Sequence, residues 1–166
     1  MKIIPEEIVE RTWREVAGFS PVRANTEMMK IGKNQPELIA FVTELSEKTS
    51  QEVKELGVYL FFVVYRMFQK TQGKIKRVSS QEVIECHEHN ESLMERLEGG
   101  HKRFLDRAAR IQISKQPFVM KYVIDALMED EEGADAQELT DKDRGFLFVL
   151  LKTVIDVLDQ KGVSLT

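Results

Sequence analysis

Cysteine is almost missing from this chain: Cys86 stands alone among 166 residues. A lone thiol excludes an intramolecular disulfide and any zinc site built from several cysteines. Prolines number four and glycines nine, too few for a linker-dominated or fibrous sequence. No Asn-Gly or Asp-Gly pair and no sustained apolar–polar alternation marks a β-hairpin. The longest apolar run, LGVYLFFVVY at 56–65, is ten residues long and stops at Arg66, whereas a bilayer-spanning helix needs about 20. The opening MKIIPEEIVE sets proline and two acids where a secretory leader would continue its apolar stretch. These absences lead to the expectation of a cytoplasmic chain that does not engage membranes.

Catalytic signatures are missing too. There is no Gly-x-Ser-x-Gly and no His-Glu-x-x-His, and TQGKIK lacks the earlier glycine of a phosphate-cradling loop. The three histidines, at 87, 89 and 101, fall within fifteen positions, which leaves general bases scarce elsewhere. The expectation is a non-enzyme that needs no cofactor. A formal net charge of −4 gives the whole molecule no bulk attraction to nucleic acid or to an anionic surface. Any such binding requires a local patch.

What is present reads as helix. With 42% hydrophobic and 31% charged residues, the chain has the composition of a folded protein, and its length suits one domain over 1–166. Pro5 suits a first helical turn, and Thr49-x-x-Glu52, Ser79-x-x-Glu82 and Thr140-x-x-Asp143 have the capping-box pattern or its acidic variant. Helices are predicted near 5–18, 23–32, 35–47, 50–71, 79–98, 101–113, 116–129 and 141–160. The fold class is all-α, a bundle of about eight helices.

A stretch near the middle is echoed near the end. QPELIAFVTEL at 35–45 resembles QPFVMKYVIDAL at 116–127, and each is followed by a long helix, SQEVKELGVYLFFVVYRMF from Ser50 and TDKDRGFLFVLLKTVIDVL from Thr140. Both long helices are apolar almost all round beyond an early glycine, Gly57 or Gly145, and helices apolar on every side are buried ones. Two helical hairpins around a central pair are therefore expected, with the glycines allowing close approach. Pseudo-repeats 1–74 and 75–166 would account for the echo; so would the small vocabulary that amphipathic helices share.

The densest chemistry lies in ECHEHNE, 85–91. At ~100° per residue, Cys86 shares an arc with Val83, Asn90, Leu93, Met94 and Leu97, the buried stripe. His87 and His89 fall on opposite margins of it, roughly 160° apart, and cannot ligate one metal together. Two half-sites remain as metal candidates, Cys86 with His89 and His87 with Glu91, each needing ligands from elsewhere. Only Glu98 and His101 have the Glu-x-x-His spacing of a helix-bundle di-iron site, and Gly99 and Gly100 interrupt them. No metal is expected. Glu85/His89 and His87/Glu91 read as flanking pairs on a helix surface.

Charge is unevenly placed. KTQGKIKR at 70–77 carries four cations, among them Lys74, Lys76 and Arg77, and no acid. Lys102, Arg103, Arg107 and Arg110 share one face of the next helix, with Asp106 as its only acid. EDEEGADAQELTDKD at 129–143 carries eight acids against one lysine. It does not fit a calcium loop, because Met128 and Leu139 would occupy ligand positions. The basic residues read as a solvated face or, alternatively, as an anion site for nucleic acid. Trp13 joins Ile8, Val9 and Val16 on one helix face. Met28 and Met29 beside Ile31 offer either core packing or an adaptable lip. The expected function is a non-enzymatic helical protein working through a protein partner or a homodimer. A nucleic-acid-associated regulator is the alternative, and an enzyme or metal protein with a half-site at Cys86–Glu91 ranks third.

Overall fold

We describe residues 2–98, 115–129 and 139–162 of a computed structural model. Among these residues there are seven α-helices and no strand. They are α1 Glu6–Ala17, α2 Pro21–Asn34, α3 Pro36–Ser46, α4 Gln51–Gln72, α5 Ser80–Glu98, α6 Pro117–Met128 and α7 Asp141–Lys161. The all-α class is as expected. The helix anticipated at 101–113 lies outside the described residues, as do Lys102, Arg103, Arg107, Arg110 and His101. No described helix is long and apolar enough to cross a membrane.

Local chemistry sets the helix starts. Ser79 and Glu82 form the reciprocal box, each accepting the other's backbone N–H at 3.1 Å, and Thr140 with Asp143 does the same at the start of α7. The α4 cap departs from expectation. Ser50, not Thr49, accepts the Val53 N–H at 3.3 Å, while the Thr49 hydroxyl donates to the Ser46 carbonyl at 2.6 Å and closes the end of α3. Helix α2 starts earlier than periodicity suggested, because Ser20 caps it by accepting the Arg23 N–H at 3.1 Å and Pro21 takes the first helical position.

Helices α4 and α7 form the centre. Leu60 through Tyr65 is buried without interruption, and between Leu147 and Asp159 only Lys152 and Asp156 reach partial exposure. The two helices pack together; α1 and α3 cover α4, α5 and α6 cover α7, and α3 also meets α5. Gly57 is what allows the central approach: a methyl group on its Cα would lie 3.0 Å from Leu147 Cδ2 and 3.7 Å from Leu150 Cδ2. Gly145 is only half-buried.

Two glutamines bind the chain to itself across long separations. Gln35, the residue before α3, is fully buried; its Oε1 accepts the Val78 N–H at 2.8 Å and its Nε2 donates to the Lys76 carbonyl at 2.9 Å. Gln116, the residue before α6, is also fully buried; its Oε1 accepts the Ile4 N–H at 2.9 Å and its Nε2 donates to the Lys2 carbonyl at 3.1 Å. In both places one amide reads the N–H of one residue and the carbonyl two residues earlier. Ile4 and Val78 are both fully buried, and each is followed one residue later by the N-cap of a helix, Pro5 or Ser79. Beyond these bonds Gln116 donates to the buried Asp159 carboxylate at 2.8 Å. Gln35 instead lies near Tyr65, whose phenol pKa is raised by burial with the Gln35 amide opposing.

Candidate functional site

The cluster around Cys86 faces three ways. Cys86 is half-buried against α7, its Sγ 3.9 Å from the Thr153 carbonyl and 3.7 Å from Asn90 Nδ2. Burial first, and then the Asp156 carboxylate, push its thiol up to about 11, with Lys152 opposing. A thiol held there stays protonated at neutral pH and makes a poor nucleophile or metal ligand. One turn on, Asn90 is buried and saturated. Its Nδ2 donates to Thr153 Oγ1 at 3.1 Å and Asp156 Oδ2 at 3.2 Å, and its Oδ1 accepts from Lys152 Nζ at 2.9 Å. Lys152 also reaches Asp156 Oδ2 at 2.7 Å. The arrangement fastens α5 to α7 through groups that satisfy one another.

His87 looks instead toward α3. Its ring meets Phe41 edge-on at 5.2 Å, Nε2 lies 3.0 Å from Glu91 Oε1, and Nδ1 is buried with no hydrogen-bond partner. Burial lowers its pKa below the ordinary 6.5, against the upward pull of Glu91 and Glu88. His89 is exposed on the other margin. The expected Glu85/His89 pair does not form; Glu85 accepts from Gln81 Nε2 at 3.0 Å, its neighbour one turn back. The half-site Cys86–His89 is thus split between a buried and an exposed face. Among the described residues no three of His, Cys, Asp and Glu come together to hold a metal.

The basic segment after α4 is ordered by burial of its alternate partners. Ile75 and Val78 point inward, while Lys74, Lys76 and Arg77 are exposed, with the Lys76 carbonyl held by Gln35. Lys70 belongs elsewhere: it pairs with Glu15. That pair is part of a cluster that sequence reasoning missed. Arg66 sits in the buried stretch of α4 with Nη2 2.9 Å from Glu15 and Nη1 3.3 Å from Glu27. It also lies 5.3 Å from the centre of the Phe19 ring, against which Arg23 stacks at 4.1 Å. Lys70 first, then Arg66, hold the Glu15 carboxyl below its ordinary 4.5 against the opposing effect of burial. The cluster ties α1 and α2 to α4. Its one sequence signal was an arginine inside an otherwise apolar helix.

Among the described residues, helix α2 carries the two most exposed large apolar side chains. Val22 is 77% exposed and Met29 60%, and seven residues apart on a helix they share one face, about 10 Å from each other along the axis. Met28, by contrast, packs against the core, and Ile31 is buried. The outward strip also bears Arg23, Lys30 and Lys33, all exposed, and no acid. Gly32 opens beside it, with nothing within 4 Å of where a Cβ would stand. Compared with models of protein families, with curated proteins and with solved structures, the chain matches none.

Proposed function

We propose that this is a non-enzymatic helical protein that acts through protein–protein contact, with the outer face of α2 as its contact surface. One observation carries the reading: Val22 and Met29, the two most exposed large apolar side chains among the described residues, share one helix face. Single exposed apolar residues are ordinary, whereas a pair sharing one helix face two turns apart, rimmed by polar groups, supports a contact surface. The groups best able to do chemistry, Cys86, Asn90, Lys152 and Asp156, are turned upon one another between α5 and α7.

The test compares affinity capture from the source cells, together with sedimentation of the purified chain, for wild type and Val22→Glu/Met29→Glu. Both side chains are solvated, so the double variant should melt as wild type does. It should lose a specific captured protein, or lose self-association if the partner is a second copy. Identical captured sets and identical sedimentation would refute the proposal. A second reading, nucleic-acid association, draws on Lys74, Lys76 and Arg77, exposed on a segment whose backbone Gln35 pins.

A further inference from the structure

The reading of α2 as a contact surface leaves its partner's chemistry open, and the charges on the same strip narrow it. Looking outward from Val22 and Met29, every charged side chain on that side of the helix is a cation: Arg23, Lys30 and Lys33. Helical spacing puts all three on one flank of the apolar pair, at roughly 20° to 100° from Val22 around the axis, while Asn25 and Gly32 occupy the other flank. The nearby acids lie closer to the body of the protein. Glu27 is half-buried between α2 and α4, where it meets Arg66 at 3.3 Å, and Glu15 belongs to α1.

Arg23 is partly engaged within the fold, stacked 4.1 Å over the Phe19 ring and 3.9 Å from the half-buried Glu15. Lys30 lies 3.3 Å from the half-buried Glu27 with its own side chain largely solvated, and a pair with one solvated member re-forms with a new partner at modest cost. The strip is therefore apolar along its centre, basic along one edge, and open at the glycine on the other.

We infer that the segment which docks on α2 is an acidic amphipathic helix, its apolar stripe seated on Val22 and Met29 and its carboxylates lying along the Arg23, Lys30 and Lys33 edge. Two anchors two turns apart match the spacing at which a helix presents its own apolar stripe. The open space at Gly32 admits a bulky side chain from the incoming helix. Nucleic acid fits this strip poorly, because its centre is aliphatic and offers no stacking ring. The inference rests on the α2 reading, and its test separates the two.

The probe is the full chain carrying a photoreactive benzophenone side chain at position 22 or at position 29, irradiated in its source cells, with the cross-linked peptide identified by mass spectrometry. The same probes are placed in a Lys30→Glu/Lys33→Glu variant, which leaves Arg23 on Phe19 and Glu15 and whose folding is checked by thermal melt. The expected result is a cross-linked peptide of net negative charge with helical apolar periodicity, its yield falling by about tenfold or more in the charge-reversed chain. A neutral or basic peptide, or a yield the reversal leaves unchanged, overturns the acidic-helix inference while the contact reading stands. Cross-links to lipid or nucleic acid, or none from either position, overturn both.

Discussion

Removing one glutamine side chain should cost this fold more than most core truncations of similar size. Gln116→Ala deletes three bonds at once, to the Ile4 N–H, the Lys2 carbonyl and the Asp159 carboxylate. Ile4 is fully buried and Asp159 nearly so, so their polar groups have no ready water to turn to. A buried group left unsatisfied costs ~1–3 kcal/mol. The exposed Lys2 side of the segment lets water reach its carbonyl, which leaves two groups bearing the full cost and a total of about 2–6 kcal/mol. That is a large share of a typical ~5–15 kcal/mol stability.

Gln35→Ala should cost about 1–3 kcal/mol for its buried Val78 N–H, with a smaller addition for the Lys76 carbonyl. The glutamate variants discriminate further. Gln116→Glu keeps an acceptor for Ile4 but sets a carboxylate against Asp159, whereas Gln35→Glu keeps its acceptor for Val78 and loses its donor to the Lys76 carbonyl without facing another acid there. At pH 7 the Gln116→Glu chain should be the less stable of the two. The assay is urea denaturation of the full chain followed by far-ultraviolet circular dichroism. A Gln116→Ala midpoint within error of wild type at unchanged slope would refute the reasoning.

At the α4–α7 crossing, Gly57→Leu should lower stability by about 1–3 kcal/mol through overpacking against Leu147; a thermal melt at or above the wild-type temperature contradicts this. Cys86, its thiol raised from 9.0 to about 11, should react with iodoacetamide at pH 8 roughly a hundredfold more slowly in the folded chain than in urea, and equal rates would show the thiol to be unburied. The folded pKa of His87 is depressed, so the unfolded chain takes up its proton first, and the stability His87 supports above pH 6.5 is lost as pH falls through that value. His87→Leu should therefore flatten the fall in melting temperature between pH 7.5 and 5.5, and an unchanged pH profile counts against the assignment. Lys76→Glu/Arg77→Glu should leave duplex-DNA binding at physiological salt as undetectable as in wild type; a salt-sensitive complex lost in the variant would move the protein to the nucleic-acid reading.

The central helices were legible because their signal is local: LGVYLFFVVY and the stretch after Gly145 are apolar on every side, and only burial accommodates that. Ser79/Glu82 and Thr140/Asp143 were legible for the same reason, each box closing within three residues. Thr49 and Ser50 were confused because adjacent hydroxyls have nearly equal capping preference, and the choice fell to the end of α3. The stripe arithmetic placed Asn90 and Cys86 on the α7 side and separated His87 from His89, yet it could not show Lys152 and Asp156 completing the network from sixty residues away. Gln35 and Gln116 were noticed as the echo of Gln-Pro before two helices. Their function as clasps was hidden, because it depends on main-chain atoms at positions 4 and 78 that carry no side-chain signature. Arg66 was read as the end of an apolar run; its partners on α1 and α2 are long-range.

The two clasps close at different moments in the life of the chain. Gln35 meets Val78 across a separation of 43 residues, whereas Gln116 meets Ile4 across 112. As the polypeptide leaves the ribosome, the first of these can form as soon as the start of α5 emerges. The segment ahead of α1 must wait with its Ile4 amide unclaimed until the far larger part of the chain has been made. In loop-closure terms the longer span adds only about 0.9 kcal/mol, so the delay is one of synthesis rather than of equilibrium. Because Gln116 also holds Asp159 near the end of α7, this second clasp reaches its full set of bonds only once that helix has been made.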